Sequence, residues 1–247
     1  DNGSGIDSLG ELNTLVSAAN AVAVRDNALA QIIAYTGANG QTAPTSTVYA
    51  EAQVSGVSGL NVAAIDSLIA SLPATAKDSS AEIQAVVDAY AKVYALADSS
   101  AGSAVTGALT AAEFAVLGLG IIDTAAELAI LNGFLDTAAS AATDSAAELA
   151  AMAEAAAKLA ATAAIVPPAA LPNPGLTVAD LQALGMNGVT ADNLAAIIAA
   201  IAASADNGTG ADTKAELQAL VDAGAAQFFF FYDSASIEIY TGEAGET

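Results

Sequence analysis

The side chains in this chain with the strongest claim on chemistry are carboxylates, and they recur. Asp1-Asn2-Gly3-Ser4-Gly5-Ile6-Asp7 matches Asp206-Asn207-Gly208-Thr209-Gly210-Ala211-Asp212 without a gap. Calcium takes several carboxylate and carbonyl oxygens from a flexible loop, so Asp1, Asp7, Asp206 and Asp212 are candidate ligands. The loop lacks the glycine and glutamate spacing of an EF-hand, and its competing reading is a glycine turn leading into a helix cap. Calcium is the one cofactor that the sequence brings into view.

Four glutamates form the second recurring set. Glu11, Glu82, Glu148 and Glu216 each follow an Asp and a Ser or Thr in the pattern D-[ST]-x-[AG]-E-[IL], and they stand 71, 66 and 68 residues apart. A carboxylate three residues after a hydroxyl fits a capping box, in which hydroxyl and carboxylate each accept from a backbone N–H of the other's residue. Capping explains both the spacing and the repetition, whereas an enzyme rarely needs four copies of one acid. Serine nucleophiles fare no better. The chain has no His, so a base would have to be Lys77, Lys92, Lys158 or Lys214, and no neighbouring constellation recommends any of them. The sequence does not read as an enzyme.

A pattern repeated at a fixed period describes an array of similar units. Each copy reads as three helices. The first opens at a threonine, in Thr47-Val48-Tyr49-Ala50, Thr110-Ala111-Ala112-Glu113 and Thr177-Val178-Ala179-Asp180, and closes at Gly56, at Gly118 or Gly120, and at Gly185 or Gly188. The second carries Val62, Ile65 and Ile69, matched by Leu194, Ile197 and Ile201, at the steps of one buried face. In the middle copy the corresponding stretch, Ile122 to Leu135, needs about a one-residue shift. The third is the D-[ST]-x-[AG]-E-[IL] helix. Behind its cap Leu12, Leu15 and Val16 correspond to Ile83, Val86 and Val87, to Leu149, Met152 and Ala153, and to Leu217, Leu220 and Val221.

The expected fold is therefore mainly α, with tandem three-helix bundle repeats and a short C-terminal β-hairpin. Residues 1–40 are the end of a preceding repeat plus a connector helix, residues 45–100, 106–165 (divergent) and 175–223 are three-helix repeats, and residues 224–247 are a β-hairpin or an exchanged strand segment. Because residue 1 falls in mid-repeat, the natural molecule is expected to be longer. In the last segment Phe228, Phe229, Phe230, Phe231 and Tyr232 form one aromatic strand, and Ile237, Ile239 and Tyr240 mark the other. A lone hairpin so apolar asks for a cover, and main-chain edges could join copies of the chain end to end.

Composition narrows the partners. Five basic residues against 27 acidic ones give a net charge of −22, which repels phosphate backbones and anionic lipid headgroups and excludes nucleic acid as a partner. The absence of Cys rules out a disulfide scaffold and a thiolate metal site. The most lipid-like runs, Leu159 to Leu171 and Leu194 to Ala203, fall short of the ~20 apolar residues that a bilayer crossing needs, so no membrane span is expected. Nor does the N-terminus carry the basic end and apolar core of a signal peptide, so any targeting segment is expected to lie outside this stretch or to have been removed.

The T-x-x-[ADE] starts, the G-V-[ST]-x-x-N-[VL]-A-A-I helix and the D-[ST]-x-A-E-[IL]-Q-A-[VL]-V-D-A helix together resemble the alanine-rich three-helix repeats of very large secreted bacterial surface proteins, adhesin-like or of the biofilm matrix. The resemblance covers residues 1 to about 223 and implies an extracellular or cell-surface location and non-enzymatic work. No residue matches an albumin-contacting set of the related cell-wall modules, so host-protein binding is not carried over. The expected function is a structural segment of an extracellular bacterial protein, filament or matrix component that self-associates or serves as an adhesin stalk. The competing expectation is a binding module for calcium, a glycan or a host protein.

Overall fold

The computed structural model describes residues 8–100, 107–164, 175–204 and 213–225, and the account below is confined to them. The chain is mainly helical. Its helices are α1 (Leu9–Ala34), α2 (Ser46–Glu51), α3 (Val62–Ser71), α4 (Ser80–Leu96), α5 (Ala111–Val116), α6 (Ala125–Leu135), α7 (Ala146–Ala163), α8 (Val178–Ala183), α9 (Leu194–Ala202) and α10 (214–225). Among the described residues there is no strand, only an isolated antiparallel bridge between Asp98 and Ala139. The expected C-terminal hairpin lies outside the described residues.

The helices fall into two compact units. One holds the described residues through Ala91 together with Val116–Gly118 and Asp144–Ala146, and the other holds the rest. The division runs within α4, whose last turns, from Lys92 on, group with the second unit.

Three six-residue helices, α2, α5 and α8, share one construction. Each is far too short to persist in water alone, so its ends and its buried face must hold it. Thr45, Thr110 and Thr177 cap the starts, accepting from the N–H groups of Val48, Glu113 and Asp180. In the first of these the cap is Thr45, two residues before the expected Thr47. That start puts Tyr49 where Phe114 and Leu181 stand in the other two, and all three side chains are fully buried.

Each short helix ends in a Schellman turn. Val54, Leu119 and Met186 donate from their backbone N–H to the carbonyls of Tyr49, Phe114 and Leu181. Such a turn needs one residue in the left-handed region, and Gln53, Gly118 and Gly185 supply it with φ of 64°, 82° and 76°. The first short helix therefore closes at Gln53 and not at the expected Gly56, whose own positive φ serves the next turn. An L side chain in this conformation costs about 1–2 kcal/mol, part of which glycine returns as lost chain entropy. Gln53→Gly is accordingly expected to stabilise the first unit by about 0.5–1 kcal/mol, read as a higher midpoint of thermal unfolding.

The second helices, α3, α6 and α9, also have engaged starts. The Asn61 side chain accepts from the Ser58 N–H at 2.7 Å and donates to the Gly56 carbonyl at 2.9 Å, and Asn193 repeats this on Thr190 and Gly188 at 2.8 Å each. The middle copy replaces this pair with a Thr124–Glu127 capping box, set one residue later in the chain. These helices bury Ile65 and Ile69, Leu131 and Leu135, and Ile197 and Ile201.

The longer helices complete the core. α4 buries Ile83, Val86, Val87, Tyr90 and Val93, α7 buries Leu149, Met152, Ala153, Ala156 and Leu159, and α10 buries Leu217 and Val221. Each fully buried aliphatic or aromatic side chain contributes about 1.5–3 kcal/mol. Two glutamines lock long helices onto the turns behind short ones. Gln84 of α4 accepts from the Ser55 N–H and donates to its carbonyl, and Gln218 of α10 does the same to Asn187. At Gly224 the approach of α10 to α9 is so close that a Cβ would lie 2.7 Å from the Ile197 Cα.

Candidate functional site: helix starts and the lysines that meet them

The proposed calcium ligands Asp1, Asp7, Asp206 and Asp212 lie outside the described residues, as do the aromatic segment Phe228 to Tyr232 and Ile237, Ile239 and Tyr240. Among the described residues no group of three or more acidic, His or Cys side chains is placed to hold a metal ion. The structure does place the recurring glutamates. Glu11 and Ser8 form a complete capping box at α1. Glu82 returns to the Ser79 N–H at 3.1 Å while the Ser79 hydroxyl accepts from the Glu82 N–H at 3.3 Å, and Glu216 with Thr213 repeats the exchange at α10. At the remaining copy, that of Glu148, α7 begins at Ala146, directly after Ser145.

The same box closes three further helix starts, at Thr110 with Glu113, Thr124 with Glu127 and Thr177 with Asp180. Two of these acids are also half of a lysine pair. The Lys92 ammonium of α4 donates to Glu113 at the start of α5, and that of Lys158 in α7 donates to Asp180 at the start of α8 at 2.8 Å. Both lysines stand ten residues after a repeated glutamate, Glu82 and Glu148, on the helix face turned away from the Ile83 and Leu149 stripes. The corresponding position of α1 is Ala21, and the residue at the start of α2 that corresponds to Glu113 and Asp180 is Val48. Lysine and acid are thus present together twice and absent together once.

Electrostatics follow the contacts. The pair with Lys92 and the Thr110 N–H hold the Glu113 carboxyl below its ordinary range. Burial alone would raise Asp180, but the Lys158 ammonium and the Thr177 hydroxyl and N–H outweigh it and leave the carboxyl lowered. Glu127 is likewise lowered, burial being outweighed by hydrogen bonds from Thr124 and Asp123. These carboxylates stay ionised and bound as acceptors, a state suited to fixing helix ends.

Two buried polar contacts escaped the sequence reading. Lys77 is buried, and its ammonium donates to the carbonyl of Tyr35 at 2.8 Å and that of Ile69 at 2.6 Å. Those carbonyls end α1 and α3, so one cation serves the negative ends of two helices within the first unit. Burial pushes the Lys77 ammonium below its ordinary pKa. The second contact joins Tyr49, whose hydroxyl donates to Asp66 at 2.7 Å. Burial raises both groups, and the hydrogen bond only partly offsets this for Asp66.

Asn132 of α6 occupies the position of Asp66 and bonds both the N–H and the carbonyl of Leu109, at 2.8 and 2.9 Å. In α9 the position is Ile198. Every buried side-chain N or O atom among the described residues has a partner. Because the folded-state pKa of Asp66 lies above its unfolded value, its charge costs stability at neutral pH, and the cost fades as pH falls through the folded value. Asp66→Asn is expected to raise the thermal midpoint at pH 7 and to converge with the parent chain in acid. A lower midpoint at pH 7 would show that the charge on Asp66 is needed.

No protein-family model, curated protein or solved structure matches this chain. The internal repetition is therefore the comparison that carries weight. What recurs is a way of fixing helix starts and of tying a long helix to the next short one.

Proposed function

We propose that the chain is a structural segment of an extracellular bacterial surface protein, filament or matrix component, built from serial copies of a three-helix module. In this reading residues 45–100, 106–165 and 175–223 are the modules, α1 is the long helix of a further one, and residues 224–247 carry self-association. The observation that carries the reading is the pair of junctions Lys92–Glu113 and Lys158–Asp180, where the long helix of one copy meets the helix-start cap of the next.

Two further features support it. The recurring polar residues are spent on caps and junctions, and the strong negative charge favours an extended solvated molecule. Self-association is assigned to the aromatic segment on its composition alone, because an aromatic and β-branched stretch can pair with another copy through its main chain.

The test compares the full chain with one lacking Phe228 to Thr247 by electron microscopy and far-ultraviolet circular dichroism. Fibres or sheets are expected from the full chain only, with helical content nearly unchanged on deletion. Monodisperse full-length chains, or a large loss of helicity on deletion, would overturn the assignment.

A further inference from the structure

Asparagine followed by glycine occurs five times, at Asn2, Asn39, Asn132, Asn187 and Asn207. Asn2 and Asn207 lie outside the described residues. Asparagine is among the least durable side chains, and a glycine after it leaves the next backbone nitrogen unshielded. That nitrogen can attack the Asn Cγ. The new N–Cγ bond closes a five-membered imide, the Cγ–Nδ2 bond breaks, and the proton of the attacking nitrogen leaves with the amide as ammonia, carried across by solvent hydroxide. Water then adds to one of the two ring carbonyls. Opening at Cγ leaves aspartate, and opening at the main-chain carbonyl leaves isoaspartate, in which the chain runs through Cβ and Cγ.

Closure rotates the peptide between the two residues, so the three described sites differ by what holds that peptide. Asn132 is 6% exposed within α6, and its amide is bonded to the Leu109 N–H, the Leu109 carbonyl and the Leu128 carbonyl at 2.8, 2.9 and 3.0 Å. Asn187 is exposed, but its backbone N–H and carbonyl are both bonded to Gln218, at 3.0 and 3.1 Å, and the Gly188 carbonyl accepts from Asn193 at 2.8 Å. Asn39 and Gly40 are both exposed, and among the described residues no hydrogen bond engages either. A Cβ on Gly40 would meet nothing within 4 Å, so neighbouring elements leave the ring room to form.

The same two residues form the turn that closes α1. The Gln41 N–H donates to the Ala38 carbonyl at 3.0 Å across Asn39 and Gly40, with Gly40 in the left-handed region at φ 87°. The Gln41 side chain then acts as a clamp. Its Oε1 accepts from the Thr36 N–H and hydroxyl, each at 2.9 Å, and from the Ala38 N–H at 3.2 Å, while its Nε2 donates to the carbonyl of Ala34, the last residue of α1, at 3.1 Å. Isoaspartate at position 39 adds one atom to the main chain between Ala38 and Gln41 and places a free carboxylate in the turn. A turn closed by one hydrogen bond spans a fixed length of chain and does not absorb that atom.

We infer that Asn39 is a site of spontaneous conversion to aspartate and isoaspartate, and that isoaspartate there releases the Gln41 clamp at the end of α1. The reaction needs only water and base, and it is independent of what the modules do.

The test incubates the full chain at mildly alkaline pH in heavy-oxygen water, followed by peptide mass spectrometry with chromatographic separation of the isoaspartyl form. Asn39 is expected to take up label at least tenfold faster than Asn187, and Asn132 to be slower still, because each hydrogen bond that must open lowers the rate. In denaturant the three rates are expected to converge. Hydrogen exchange at the Thr36, Ala38 and Gln41 amides is expected to speed at least tenfold in the isoaspartyl fraction. Asn39→Gln, which would have to close a six-membered ring, is expected to keep its amide and its exchange pattern through the same incubation.

Equal rates at Asn39 and Asn132 in the folded chain would overturn the assignment of the site. So would a preference for Asn39 that persists in denaturant, since local sequence would then explain it. Unchanged exchange at Thr36 and Gln41 in the isoaspartyl fraction, or faster exchange in incubated Asn39→Gln as well, would overturn the release of the clamp.

Discussion

Phe114→Ala is expected to cost about 3–5 kcal/mol and to unfold the middle section of the chain while its neighbours persist. Phe114 is the one buried residue of α5, and its carbonyl receives the Schellman bond that ends the helix. Without the ring, six residues have neither a buried face nor the length to remain helical. A body of about fifty residues has a net stability of only a few kcal/mol, because folding gains and chain entropy nearly cancel. The loss is therefore comparable with everything such a module holds. Hydrogen exchange should show protection collapsing over residues 107–164 and retained over residues 45–91. A small, uniform rise in exchange over the whole chain would contradict the modular account.

Asp180→Ala should have the next largest effect, about 2–4 kcal/mol. The substitution removes the carboxylate half of the capping box, which accepts from the Thr177 N–H and hydroxyl, and leaves Lys158 unpaired in a site where it is 24% exposed. A fully buried pair broken on one side costs about 3–5 kcal/mol, and the partial exposure here reduces that figure. Asp180→Asn should lose less, since the amide oxygen can still accept from the Thr177 backbone.

The pair also sets the acid limit. Asp180, Glu113 and Glu127 all have folded-state values below their unfolded ones. Their contribution is therefore complete above about pH 4.5, the unfolded range of carboxylates, and is lost as pH falls through the lowered values. Acid unfolding monitored by circular dichroism should begin below that range, and Asp180→Asn should flatten its slope. An unfolding curve of Asp180→Asn parallel to that of the parent would remove the pair from the account.

Much of the local structure was legible because caps are short-range. A hydroxyl three residues before a glutamate has one physical meaning whatever the tertiary setting, and Ser8, Ser79 and Thr213 stand at helix starts as that rule requires. The apolar stripes were legible as periodicity, and Ile83 and Leu149 are buried accordingly.

What periodicity could not show was which stripe has a cover. Leu12 follows the same pattern as Leu149, and only the structure distinguishes the exposed stripe of Leu12 from the packed one. Gln53 was hidden because a glutamine in the left-handed region carries no composition signal, whereas Gly56 nearby offered a false one. Lys77 was hidden for another reason. A lone lysine reads as a solvated charge, and its burial depends on two helix ends, at Tyr35 and Ile69, that lie far from each other in sequence. The lysine junctions left a trace that pairwise reading could have found, since Lys92 with Glu113 and Lys158 with Asp180 are present together and Ala21 and Val48 lack both.

The claim on which the account depends is that the chain is a series of small bodies that bear load one after another. Pulling the full chain by its ends with a force probe tests this directly. The account predicts three separate unfolding events, each releasing about 20 nm of chain at ~3.5 Å per residue. A single event that releases the length of all three sections at once would contradict it.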